Sequence, residues 1–476
     1  MSRSILTGAA ALALAVGVSA CSVGPDYHAP DAPTVSGYTA DATPGSVDQR
    51  VVEGAKLRAD WWALLQSPAL DRTVDEAVAG NWSLASVKAR LARSQEGIRS
   101  AESKLYPQVD ADSEIARNHY GASFLGPQAR QFPLFSAYSA GATVSYDFDL
   151  FGKTRRTMEQ AEANAEMQQD QVDAALLTLT GNVALQAVQV ASLKAQLEVV
   201  GKIIDSDERT LELVRGARGT GAITDIDVLS AQSQLDRDLT LVAPLRQELA
   251  AAQDSLATLV GKSPAEWQAP DFTLDGFTLP AELPLAVPSE LVRTRPDIRA
   301  AEAALQASSA AIGIADAAFY PDITLSGSLA EQGLTGGAAG SAFGLLGGVT
   351  LPIFHGGELT AQKKAAEDSY QENLADYRQT VVSAFGQVAD TLHALSNDAD
   401  QLTTETRSVA SATASLKLTR LGYGVGNASV VQVLDAQRQS EQAELGTVRA
   451  RAQRYTDTIK LFLAMGGGHL PAGRAS

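Results

Sequence analysis

Residue types that carry chemistry are thinly spread through this 476-residue chain, and their spacing excludes more than it supports. The five histidines (28, 119, 355, 393 and 469) never pair at zinc-ligand spacing, and no Gly-x-Ser-x-Gly elbow occurs. No enzyme activity, metal or cofactor is expected. Two glycine-rich stretches, Gly216-Ala217-Arg218-Gly219-Thr220-Gly221 and Gly422-Tyr423-Gly424-Val425-Gly426-Asn427, lack the preceding strand and the following Lys-Ser/Thr of a phosphate loop. They read as tight turns between helices, where glycine gives access to positive φ. Charged groups in regular patterns remain. Asp110, Asp112, Asp147 and Asp149 alternate with apolar residues, and Val431, Asp435 and Arg438 are spaced four and three apart, on one helix face beside Gln432. From the residues alone, Asp435 and Arg438 form either a surface ion pair worth under about 1 kcal/mol or, if copies gather about an axis, a cation-selective carboxylate ring held shut by arginine. Asp225 and Asp227 lie in the matching region of an earlier repeat.

The formal charge of −17 argues against a nucleic-acid partner, since phosphate backbones are held by clustered Lys and Arg. No apolar run of helix-spanning length follows the N-terminus. The N-terminus itself has Arg3, an Ala/Leu/Val run to Val18, then Val18-Ser19-Ala20-Cys21, with Cys21 the only cysteine. This resembles a bacterial lipoprotein signal (residues 1–20), with Cys21 the lipidated first residue of the mature protein. Ser22 follows, where an Asp would resemble inner-membrane retention, so outer-membrane lipid is the expected anchor.

The elements that must position these groups occur twice. Ala89-Arg90-Leu91 through Leu105-Tyr106-Pro107 matches Ala303-Ala304-Leu305 through Phe319-Tyr320-Pro321, and Leu211 through Arg215 matches Leu416 through Arg420. Gly219, Gly221, Val228-Leu229 and Gly261 match Gly424, Gly426, Val433-Leu434 and Gly466. After a lipidated N-terminal segment (21–82), repeat 1 spans 83–261, with a hairpin at 108–150 and a turn at 216–222. A proline-rich connector follows at 262–296. Repeat 2 spans 297–466, with a hairpin at 322–353 and a turn at 422–428, and 467–476 is a tail.

Within each repeat the expectation is helix, two strands, one very long helix, a turn and another helix. Leu176, Val183, Val190, Leu197, Ile204 and Leu211 fall at seven-residue spacing, as do Val381, Val388, Leu395, Leu402, Val409 and Leu416, which implies coiled-coil packing. Val228, Leu235, Val242, Leu249 and Leu256 extend the pattern into the next helix. The alternating strands suit either a half-buried soluble sheet or membrane strands. In lipid, four strands cannot close a barrel, so several chains would have to share one, with the aspartates facing a water-filled lumen.

The chain resembles the lipoprotein branch of the TolC/OprM outer-membrane efflux family. The resemblance rests on Cys21-Ser22-Val23-Gly24-Pro25-Asp26-Tyr27, Asp60-Trp61-Trp62, Arg293-Thr294-Arg295-Pro296-Asp297-Ile298, both Tyr-Pro junctions and Leu434-Asp435-Ala436-Gln437-Arg438. It implies a mixed α and β membrane protein: a homotrimer whose four strands per chain form one β-barrel above a periplasmic α-barrel of coiled-coil helices. It further implies a passive exit duct for drugs or other small molecules, served by a periplasmic adaptor (membrane fusion) protein and an inner-membrane resistance-nodulation-division pump. Val431, Gln432, Asp435 and Arg438 would form the gate, although Gln432 stands where a second acid occurs in part of the family. Gly219, Gly221, Gly424 and Gly426 would mark the adaptor-docking turns. Two rival readings are a duct for type I protein secretion and a lipid-anchored periplasmic coiled-coil scaffold without a pore.

Overall fold

The computed structural model describes residues 22–31, 33–35, 37–39, 49–119, 134–219 and 223–468. The signal segment, Cys21, Gly221 and the tail from 469 lie outside them. In chain order the first half has β1 (Arg50–Glu53), α1 (Pro68–Gly80), α2 (Trp82–Glu102), β2 (Gln108–Asn118), β3 (Phe135–Phe148), α3 (Lys153–Gly219), α4 (Asp225–Leu239) and α5 (Val242–Val260). The second has β4 (Glu282–Leu285), α6 (Pro288–Thr294), α7 (Pro296–Ala317), β5 (Asp322–Leu334), β6 (Ala339–Thr350), α8 (Glu358–Gly424) and α9 (Val430–Ala464). Both α3 and α8 have 67 residues, about 100 Å at 1.5 Å per residue. Every residue of their two seven-residue series is buried or half-buried, with Val183, Val190 and Val388 fully enclosed. Seam burial, rather than intrinsic propensity, is what stabilises helices of this length.

The chain divides into two compact units. The first comprises the described residues of Met1–Pro30 with Arg90–Gln169 and Ala300–Arg378. It contains an antiparallel four-stranded sheet in the order β2-β3-β5-β6, so β3 and β5 join the two hairpins and β2 and β6 are left at the edges. The second comprises the described residues of Asp31–Ala89 with Asp170–Arg299 and Gln379–Ser476. Its core includes Trp61, Leu65, Leu70 and Phe462, with the Trp61 ring 5.9 Å from Trp62 and 5.8 Å from Phe462. Gly261 ends α5 at φ +82, and a Cβ there would collide with the Gly80 carbonyl, so glycine is required on both counts.

Two expectations change. The apolar series through Val228 and Leu256 does not form one helix: the chain breaks at Thr240–Leu241, between α4 and α5. Pro244 has no N–H to donate, and its ring would press on the carbonyl of Thr240 four residues earlier. The matching α9 contains no proline and runs for 35 residues. The proline-rich connector is also more ordered than its composition suggested. Its β4 pairs in parallel with β1, setting Pro284 opposite Val52, and Pro288 opens α6. A two-stranded sheet has only edge strands, which tolerate proline.

Candidate functional site

In the first unit, register decides which side chains share a face, because residues directly opposite across antiparallel strands point the same way. Asp110 pairs with Thr143, Thr143 with Ser328, and Ser328 with Gly344. Asp112 lies opposite Gly141, and Asp147 opposite Thr324. One face therefore carries Asp110, Asp112, Asp147, Ser145, Thr324 and Ser326. The other carries Val109, Ala111, Ile115, Val144, Tyr146, Leu325, Leu329, Phe343, Leu345 and Val349. This apolar face is bare: Ile115, Phe343 and Leu345 are each at least 80% exposed. A half-buried soluble sheet would cover that face.

Asp149 is a correction. It was expected among the polar strand residues but lies beyond the end of β3, with its side chain only 12% exposed. Its carboxylate accepts from the Thr154 and Arg155 backbone N–H groups, both at 3.0 Å, and from Arg155 Nε at 3.2 Å. The unpaired N–H groups and positive dipole of a 67-residue helix draw a carboxylate to its N-terminus. Nearby, Arg156 holds the segment that follows Cys21. Its guanidinium donates to Val23 O (3.2 Å), Gly24 O (3.3 Å), Asp26 Oδ1 (2.8 Å) and Glu159 Oε2 (2.7 Å). Val23 N–H donates to Phe151 O at 3.1 Å.

In the second unit the expected turn glycines are partly helical: Gly216 and Gly219 belong to α3 and Gly422 and Gly424 to α8, and α4 and α9 begin at Asp225 and Val430. Each new helix starts with a capping box. Thr224 and Asp227 form the first, and the Thr224 backbone N–H and hydroxyl hold the Asp227 carboxyl below its ordinary range. In the second, Ser429 N–H donates to Gln432 Oε1 at 2.7 Å and Gln432 N–H to Ser429 Oγ at 3.2 Å. The Gln432 side chain is thus engaged at the start of its own helix. Asp435 Oδ1 accepts from Arg438 Nη2 at 2.5 Å within one chain, both side chains about half exposed, and Gln439 Nε2 donates to Asp435 Oδ2 at 3.0 Å. Arg218 and Asp225 form an ion pair beside the first turn. Gly219 and Gly424 are the last residues of their helices with open space around them, and Gly426 takes φ +80. Leu213, Ile226, Leu229, Leu418, Leu421, Val425 and Val431 are exposed near these ends.

A polar crosslink among these helices went unseen in the sequence. Arg420 Nη2 donates to Ser206 Oγ (2.8 Å) and Gln437 Oε1 (3.2 Å), and Gln437 Nε2 donates to Asp207 Oδ1, tying α3, α8 and α9 together. In a heptad these residues look like solvated positions. Only the 230-residue separation of Asp207 and Gln437, closed by folding, brings them into contact.

The family profile described as "Outer membrane efflux protein" matches residues 73–262 and 287–467. The "Toluene efflux pump outer membrane protein TtgF" of Pseudomonas putida is 29% identical, over 96% of each chain. The "Probable outer membrane lipoprotein SilC" of Salmonella typhimurium is 28% identical, over 94% of this chain and 95% of its own. A solved structure of the outer-membrane channel OprN superposes with TM-score 0.86 at 25% identity, covering 94% of this chain and 99% of that one. With its long helices and four-stranded sheet, the chain belongs to the outer membrane efflux protein family.

Proposed function

We propose that this chain is one subunit of a homotrimeric outer-membrane duct through which drugs or other small molecules leave the cell. One observation carries the reading: a four-stranded sheet with a bare apolar face, an acidic opposite face and two unpaired edges. In hydrocarbon, an open edge leaves backbone N–H and C=O groups without partners at several kcal/mol each. Joining β2 of one chain to β6 of the next removes the edges, and three chains give twelve strands, within the range of known barrels. Asp110, Asp112 and Asp147 then line the water-filled interior. Lipid attached at Cys21 holds the chain at the membrane surface, and the Arg156 clamp fixes the segment that follows.

The α3 to α9 helices continue the duct into the periplasm. Val431, Asp435 and Arg438 form its gate, with Gln432 contributing through the helix start. Carboxylates repeated about a three-fold axis favour cations, and the Arg438 partner neutralises them in the resting state. The helix ends at Gly219 and Gly424 and the turn at Gly426, with the exposed leucines and valines near them, receive a periplasmic adaptor that couples the duct to an inner-membrane resistance-nodulation-division pump. A relative named for toluene efflux favours small, apolar cargo over secreted protein. The test is planar-bilayer conductance combined with crosslinking of the detergent-purified protein. Trimer-limited crosslinking and cation-selective single-channel steps are expected. A monomer without conductance would sink the proposal.

A further inference from the structure

A second group of carboxylates lies inside the helical unit, its α9 member Glu441 one helical turn beyond Arg438. Asp207 on α3, Asp238 in the last turn of α4 and Glu441 on α9 each bring one oxygen within 4.8 Å of the other two. Asp207 is 2% exposed and Glu441 8%, and Asp238 is half-buried. Some oxygens have donors: Gln437 Nε2 serves Asp207 Oδ1, and Gln234 Nε2 serves Asp238 Oδ2 at 2.6 Å. Asp207 Oδ2 and Glu441 Oε1 are buried and accept from no N–H or hydroxyl donor, although the Asp238 carboxyl lies within hydrogen-bond reach of the Asp207 side chain and Gln437 within reach of Glu441. Arg420 faces the trio, but its Nη2 donates to Ser206 and Gln437, and Glu444 adds further negative charge. Three carboxylates thus confront one guanidinium. Burying charge without a matching partner is costly, and unpaired acceptors add to the cost.

We propose that Asp207, Asp238 and Glu441 bind one hard divalent cation of calcium's size, pinning α3, α4 and α9 together. The all-oxygen donor set selects a hard ion. Three converging carboxylates in a buried site suit calcium, which accepts irregular coordination rich in protein oxygens, better than magnesium, which keeps most of its water and demands octahedral geometry. The three oxygens all lie within 4.8 Å of one another, so one ion can reach all of them. The position of Asp238 also helps, because carbonyls at a helix C-terminus favour positive charge. The buried pair Asp398 and Asp457 differs. It has only two carboxylates, Lys460 and Gln453 donate to Asp457, and Arg454 faces Asp398, so no cation is needed there.

The experiment uses the full-length protein in detergent, stripped with EDTA and titrated with CaCl2 at pH 8 by calorimetry, with thermal unfolding in parallel. One saturable Ca2+ site per chain and a rise of several degrees in Tm are expected, with MgCl2 binding more weakly. Asp207→Asn combined with Glu441→Gln should weaken binding at least tenfold, while Asp398→Asn leaves it unchanged. Asp238→Asn, in the last turn of the short helix α4, serves as the variant least able to disturb folding and should also weaken binding. No saturable Ca2+ binding, tighter binding of Mg2+ than Ca2+, or undiminished binding in Asp238→Asn would each overturn the assignment.

Discussion

Replacing Asp398 with asparagine should flatten a pH dependence that the wild-type helix pair α8/α9 must show. Asp398 and Asp457 are 8% and 4% exposed, on facing helices. Burial first, then the hydrogen bond to Asp457 and its charge, push Asp398 up to about 7, against the pull of Arg454 and Lys460. The burial of Asp457 is outweighed by hydrogen bonds from Asp398, Lys460 and Gln453, which hold it below its ordinary range. Between pH 5 and 7 the folded chain therefore keeps a proton on Asp398 that the unfolded chain has already released. Stability falls as pH rises, by up to about 1.4 kcal/mol per unit and by roughly 2 kcal/mol across the window, the slope easing as Asp398 starts to release its proton. Asp457 adds no slope there, being ionised in both states. Its contribution is present above its unfolded value and disappears only as pH drops through its lowered folded one. Hydrogen exchange of peptides around 392–404 and 450–462, corrected for intrinsic rates, reads the effect directly. Protection should fall about fiftyfold from pH 5 to 7 in the wild type, by up to 2.303RT per unit per proton. In Asp398→Asn, whose amide still donates to Asp457, it should change less than about threefold by the same relation. Equal corrected protection at both pH values in the wild type, or an unchanged slope in the variant, would refute the reasoning.

Four further outcomes follow from the geometry. Leu345→Lys, on the apolar face, should cost about 2–4 kcal/mol and reduce the assembled protein recovered from membranes, whereas Leu346→Lys, one residue along on the polar face, should assemble normally on a native gel. Arg438→Ala should raise open-channel probability in bilayers. Because the pair it breaks is half exposed and worth no more than about 1 kcal/mol per chain, the increase should stay within about fivefold per subunit. Arg156→Ala should free the segment 22–30, detected as faster proteolytic clipping near Pro30 with the sheet left intact. Pro244→Ala removes the clash with Thr240, so hydrogen exchange at residues 240–244 should slow as α4 and α5 become more continuous.

Much of the architecture could be read along the chain because it depends on local periodicity. Seven-residue spacing set the two long helices, alternation set the four strands, and the internal match gave two copies in the same order. The Pro244 break was legible in principle, but the apolar series running across it outweighed a single residue. The ion pair Asp435–Arg438 was likewise legible, because its members lie three residues apart on one helix. The role of Asp149 was not, since alternation continues through it and only the start of α3 shows that its carboxylate is taken up by helix N–H groups.

The sequence by itself thus determined the long helices and the strands, because each follows from spacing of a few residues. Tertiary structure alone decided which distant side chains meet. The Arg156 clamp on residues 23–26, the Asp398–Asp457 pair and the Asp207–Asp238–Glu441 trio join positions up to hundreds of residues apart. A carboxylate on a helix looks the same in sequence whether it faces water or two others, and only packing removes the water that would make the difference negligible.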